Sequence, residues 1–187
     1  MSLPASIDSH TALVVGANRG IGLALTRQLL AESAVEKECA TYRQEDAAHD
    51  LLAIDDRRVE LLQVDITSAD SLKALSGELR ARGHQPDLVI NCAGILHEGD
   101  LKPEKSLSQC REETLARSFL VNSIGPLMLA KSVSPSTPRD RRCHLAVLSA
   151  MVGRIGDNRL GGWYGYRGSK AALNPLMKTP ATACRRS

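Results

Sequence analysis

The run Thr11-Ala-Leu-Val-Val15 is short, apolar and partly β-branched, and it stops at a glycine. A run of this kind reads as a strand buried inside a parallel sheet. Gly16-Ala-Asn-Arg-Gly-Ile-Gly22 follows without a gap, and a helical pattern then begins, with Ile21, Leu25 and Leu29 on one face. Strand, glycine turn and helix in direct succession are the context that a phosphate-binding turn needs. The turn's amides and the helix N-terminus would face an anionic phosphate, with glycine allowing close approach. A plain strand-to-helix turn is the alternative.

The alternation continues along the chain. Strands are expected over 38–43, 58–64, 86–91 and 143–149. The first of these is weakly marked, because Val35-Glu-Lys-Glu38 is polar for a central strand. Thr67 or Ser68 would cap a helix that carries Leu72, Leu75 and Leu79 and ends near Gly83. A long helical segment spans 112–133 with a kink point at Gly125-Pro126, and a last helix starts near 163–166 and carries Ala171, Leu173 and Leu176. Polar, turn-rich or glycine-bearing loops fill 95–108, 134–138 and 151–162. Five strands alternating with helices predict an α/β fold, a doubly wound parallel sheet whose ligand crevice lies at the carboxyl ends of its strands. The 187 residues suit one domain over 1–187 and are short for two.

Composition narrows the partners. With 43% hydrophobic and 24% charged residues the chain is globular rather than disordered, and a 3% aromatic share leaves the core to Leu, Val, Ile and Ala. A net charge of +3, no long Lys/Arg run and few stacking rings argue against nucleic acid. Arg139-Asp-Arg-Arg142 reads as a solvated loop. No window approaches eighteen apolar residues and the N-terminus is no basic-apolar leader, so a soluble, cytoplasmic protein without membrane contact is expected. The five cysteines are scattered and form no Cys-x-x-Cys pair. Reduced thiols, with no disulfide or metal framework, are the expectation.

Tyr166-Arg-Gly-Ser-Lys170 supplies the chemistry. A Tyr and a Lys four apart share a helix face. An ammonium beside a phenol favours the phenolate and would bring the Tyr pKa down from ~10 toward a useful range. His97 and His144 would also suit a general base, but both read as solvent or core histidines.

Read together, residues 13–22, Asn91-Cys-Ala-Gly94, Asn122, Leu148-Ser149 and the stretch 156–170 resemble the short-chain dehydrogenase/reductase family, most of all its C-factor and sniffer-type carbonyl reductase branch. The resemblance implies a Rossmann-type sheet and reduction of a ketone or aldehyde to an alcohol with a nicotinamide cofactor. Gly16, Gly20 and Gly22, with Asn18, Arg19 and Ile21 between them, match the turn around the cofactor pyrophosphate. Asp65 and Ile66 match the adenine contacts, and Asn91, Ala93 and Gly94 the stretch near the adenosine ribose. Asn122, Ser149, Tyr166 and Lys170 match the catalytic tetrad. Ser149 and Tyr166 would hold the carbonyl oxygen and Tyr166 would give it a proton. Lys170 would lower the Tyr166 pKa and bind the nicotinamide ribose, and Asn122 would hold a relay water. Arg19 and Arg43 suit a 2′-phosphate, and no carboxylate stands directly at the end of the second strand, so NADP(H) is favoured over NAD(H).

Three departures from the family pattern stand out. Cys92 replaces an Asn, which would loosen the hydrogen bonding of its loop. The family continues for several dozen residues past the tetrad helix, so a chain truncated before the sixth strand and most of the substrate pocket is expected, its fifth strand an open edge. Pro175 and Pro180 would damage the last helix. A small carbonyl or alcohol substrate is the expected partner. The family pairs through its last two long helices, which makes a homo-oligomer the arrangement to look for. A non-catalytic dinucleotide-binding or signalling protein that retains the cofactor half is the rival reading.

Overall fold

A computed structural model describes residues 11–140 and 142–183, so Arg141 of the basic loop and the last of the five cysteines, Cys184, lie outside the described residues. The elements run β1 (Thr11–Val15), α1 (Gly20–Ala31), β2 (Lys37–Tyr42), α2 (His49–Leu52), β3 (Val59–Gln63), α3 (Ala69–Ala81) and β4 (Leu88–Asn91). They continue as α4 (Glu112–Phe119), α5 (Gly125–Val133), β5 (His144–Val147) and α6 (Tyr164–Ala183). The sheet order is β3-β2-β1-β4-β5, with β1 parallel to both neighbours and Val14 opposite Ala40 and Ile90. The chain therefore winds outward from β1 to β3, then crosses to β4, which is the doubly wound Rossmann-type plan.

Residues through Ala93, together with Ala130–Ala146, form one compact unit. Its core joins Ala12 and Val14 of β1 to Leu23 and Leu29 of α1, Ala40 of β2, Leu51 and Leu88. Every β1 residue after Thr11 is buried, as a strand covered on both faces must be. The α1 stripe differs from the expected one. Ile21 is 62% exposed and the buried positions are Gly22, Leu23, Thr26 and Leu29, because Gly22 must lie against Gly16. β2 takes in the polar stretch that obscured it, and Glu38 is wholly buried. Ser68 is the cap of α3, accepting from the Ser71 N–H.

Gly94–Leu129 and the described residues 147–183 form the second unit. The expected continuous helix over 112–133 is interrupted. A π-helical segment, Leu120–Ile124, separates α4 from α5, and its closing Gly125 N–H bonds Leu120 five residues back. Pro126 has no N–H to return to the Asn122 carbonyl in α register, so the wider turn falls just before the proline rather than at it. α6 runs on through Pro175 and Pro180 to Ala183, so neither proline ends it. Among the described residues β5 is the outer strand on its side of the sheet, and Leu145 is exposed.

Candidate active site

In the first unit the glycine turn is shaped by contact. Gly16 adopts φ 79°, and a Cβ there would lie 2.8 Å from the Ala93 nitrogen. A Cβ on Gly22 would lie 2.0 Å from the Gly16 carbonyl oxygen. Gly16 N–H donates to Thr41 Oγ1 at 3.2 Å, Ala17 N–H to the Thr41 carbonyl at 2.7 Å, and Asn18 Nδ2 to the Ala47 carbonyl at 3.0 Å. Thr41 and Ala47 thus brace the turn, although neither carries a sequence signal. Arg19 is exposed, and no side chain caps the α1 N-terminus.

Beyond the end of β2 an open cavity of about 570 Å3 is lined by Arg43, Gln44, Gln63, Asp65, Ser68 and Ser71. Asp65 Oδ1 accepts from the Thr67 N–H at 2.8 Å and the Thr67 hydroxyl at 2.7 Å, which fixes the carboxylate's pose. Ile66 is buried, so its side chain belongs to the core. Asn91, at the end of β4, is buried; its Nδ2 reaches the Ala93 carbonyl at 3.4 Å, while its Oδ1 has no hydrogen-bond partner among the described residues. Cys92 keeps its loop on the sheet through an N–H to Val15 bond of 2.8 Å, and burial pushes its thiol up to about 11.

The second unit brings together all four expected catalytic residues' elements. Asn122, in the π segment, is fully buried. Its Oδ1 accepts the Ile95 N–H at 2.8 Å, and its Nδ2 donates to the Ile95 carbonyl at 2.8 Å and to Ser169 Oγ at 3.1 Å. Both amide protons are thereby used, so a relay water would have to meet a carbonyl oxygen of Asn122 instead. Lys170 Nζ donates to the Leu148 carbonyl at 2.7 Å and lies 5.9 Å from the centre of the Tyr166 ring. Ser149 Oγ donates to Asn174 Oδ1 at 2.8 Å.

The expected lowering of the Tyr166 pKa is not what this arrangement gives. Burial pushes the phenol up from its ordinary value and pushes the Lys170 ammonium down. With the lysine bonded to a main-chain carbonyl rather than to the phenol oxygen, desolvation wins. His97 and His144 are both exposed.

Sequence reasoning missed Glu104. This buried residue accepts the Gly165 N–H at 3.2 Å through its carboxylate and the Trp163 N–H at 2.5 Å through its carbonyl. It therefore holds the start of α6, two residues from Tyr166, and Trp163 sits at φ 55° with its ring edge-on to Tyr166 at 6.1 Å. A carboxylate sixty residues away in sequence has no local signature.

Residues 10–187 match the family described as short chain dehydrogenase, and the chain belongs to that family. It is 31% identical over 88% of its length to 1-hydroxy-2-glutathionyl-2-methyl-3-butene dehydrogenase of Rhodococcus sp. (strain AD45), spanning 66% of that protein, less than two thirds. Among solved structures it is similar to the NADPH-bound carbonyl reductase from chicken fatty liver, with a TM-score of 0.83 and 29% identity over 95% of this chain and 71% of that one. It is also similar to the carbonyl reductase Sniffer of D. melanogaster, with a TM-score of 0.84 and 25% identity over 95% of this chain and 76% of that one.

Proposed function

We propose that the chain is an NADPH-dependent reductase that converts a ketone or aldehyde to an alcohol, with Tyr166 as the acid. The observation that carries this reading is the α6 face on which Tyr166 and Lys170 stand one turn apart, locked to Asn122 through Ser169 and to the Leu148 carbonyl through Lys170. The first unit's residues fit the cofactor. The turn at Gly16 and Gly22 admits no side chain, Asn91 keeps a buried oxygen without a partner among the described residues, and Arg43 and Asp65 line one cavity. Gly16, Asn18, Gly20, Ile21 and Gly22 would hold the pyrophosphate, Arg19 and Arg43 a 2′-phosphate, and Asp65, Ile66, Asn91, Ala93 and Gly94 the adenosine.

A nicotinamide held by these residues would supply hydride to the carbonyl carbon. As negative charge gathers on the oxygen, the Ser149 hydroxyl holds it and Tyr166 delivers the proton that completes the alcohol. A phenol kept above its ordinary pKa by burial stays protonated and ready to donate at neutral pH. Lys170, a cation 5.9 Å from the Tyr166 ring centre, stabilises the phenolate that forms once the proton has left. Asn122 keeps the Ile95 loop and Ser169 in place, which fixes the turn of α6 between Tyr166 and Lys170.

The test is NADPH oxidation with a panel of ketones and aldehydes, comparing the parent chain with Tyr166→Phe. Removing the proton donor should lower kcat by about 10²–10⁴-fold while NADPH affinity is kept. No turnover in either protein, with NADPH still bound, would instead favour the non-catalytic dinucleotide-binding reading.

A further inference from the structure

Lys170 and Asn174 lie one turn apart on α6, so their side chains share a face. Together they hold two consecutive residues after β5: Lys170 Nζ bonds the Leu148 carbonyl at 2.7 Å, and the Ser149 hydroxyl bonds Asn174 Oδ1 at 2.8 Å. The stripe that begins at Tyr166 thus continues for one further turn, and its last member, Asn174, accepts a hydrogen bond from Ser149. We propose that Asn174 is the positioning residue of the Ser149 hydroxyl, aiming it at the substrate carbonyl oxygen through an amide that can either accept or donate the hydrogen bond. This rests on the reading of Ser149 as the group that holds that oxygen.

The argument is one of proton counting. A serine hydroxyl has one proton and two lone pairs. In the structure that proton points at Asn174 Oδ1, where it is unavailable to a substrate. An oxygen gaining negative charge needs the same proton. The Asn174 carboxamide resolves the conflict, because turning it over presents Nδ2–H to Ser149 Oγ. The hydroxyl then accepts from Asn174 and donates to the substrate, with no bond lost and the oxygen held in place throughout. An ionised aspartate could only accept, and would keep the proton on the enzyme. The fold does not require the contact. The Lys170 bond already fixes the segment, and both Ser149 and Asn174 are exposed, where a neutral hydrogen bond contributes little to stability.

The experiment is steady-state kinetics of the full chain, with NADPH and a reducible carbonyl substrate, for Ser149→Ala, Asn174→Ala, Asn174→Asp and the Ser149→Ala/Asn174→Ala pair. Asn174→Ala should lower kcat about tenfold, the effect of one oriented hydrogen bond. Its NADPH affinity and melting temperature should stay those of the parent. Asn174→Asp should be slower still at neutral pH. In the Ser149→Ala background, Asn174→Ala should have no further effect. Parent-like turnover of Asn174→Ala or Asn174→Asp, or an equal loss with and without Ser149, would overturn the inference alone. An active parent unaffected by Ser149→Ala would overturn it through the role given to Ser149, and an inactive parent would remove the catalytic reading along with it.

Discussion

A methyl group at Gly22 would lie 2.0 Å from the Gly16 oxygen and 3.0 Å from the Ala17 Cα, both fixed backbone. Gly22→Ala should therefore force the turn apart, destabilising the chain by about 1–3 kcal/mol as overpacking does and abolishing measurable NADPH binding. Gly20 is different, because nothing lies within 4 Å of its Cβ position and only its φ of 54° resists a side chain. Gly20→Ala should cost about 1–2 kcal/mol and leave residual binding, and a fluorescence titration of both variants separates steric from conformational control. These glycines were legible because spacing alone marks them. Glu38 was not, since a charged residue argues against the very strand that buries it. Desolvation raises its carboxyl to about 7, and the Thr26 hydroxyl and Arg58 guanidinium offset that only in part. The folded chain then holds a proton that the unfolded chain releases near 4.5, so the contribution of Glu38 to stability falls as pH rises from about 4.5 to about 7. Glu38→Gln should remove that slope and raise stability above pH 7 by on the order of 2–3 kcal/mol in urea unfolding. An unchanged slope in the variant would mean that Glu38 is ionised when buried.

Between elements, two carboxylates show how much of the packing escapes periodicity. Glu60 on β3 meets Lys37 of β2 at 3.2 Å and, beyond α3, Arg82 and His84 at 2.9 Å each. Partial burial pushes its carboxyl up, but hydrogen bonds from His84, Arg82 and Lys37 outweigh that and hold it at about 2. The unfolded chain takes up this proton near 4.5 and the folded chain near 2, so the cluster's contribution is intact above 4.5 and is lost as pH falls between those values. Glu60→Gln should lower stability most above pH 4.5, where the cluster's contribution is intact, and converge on the parent as pH falls toward 2, which flattens the acid limb in urea unfolding measured across that range. Glu104 acts at the start of α6, where its carboxylate accepts the Gly165 N–H. Glu104→Ala should lower stability by about 1–2 kcal/mol, as loss of a helix cap does, while Glu104→Gln retains an acceptor and most of the stability. Both contacts join residues that only the tertiary fold brings together. The break between α4 and α5 was half legible. Gly125-Pro126 announces an irregularity, but the missing proline N–H acts four residues earlier, and that places the wide turn on Asn122.

At the scale of the molecule, the doubly wound parallel sheet and the family were legible because strands alternate with helices and the glycine turn precedes the Tyr166 to Lys170 stretch in the family's order, whereas the strand order β3-β2-β1-β4-β5 comes from the structure alone. The proposed cofactor preference is tested at this scale. Arg43 stands just past β2, lining a cavity with Gln44 and Asp65, while Glu45 and Asp46 fall in a short helical turn further on. Under the proposed function, a guanidinium at that place would suit the extra phosphate of NADPH, whereas a ribose hydroxyl would need an acceptor there. Ligand binding to the folded state alone raises its stability by about 2.7 kcal/mol at a hundred times Kd. For a chain of this length that amounts to a melting shift of roughly 5–11 °C. NADPH should produce a shift of that size, and NADH at the same concentration a shift smaller by roughly 3–6 °C, the equivalent of a tenfold weaker Kd. Arg43→Ala should bring the two cofactors together by reducing the NADPH shift without altering the NADH one. Equal shifts in the parent chain would remove Arg43 as the selector. Loss of both shifts in the variant would mean that Arg43 supports the adenosine pocket itself rather than the phosphate.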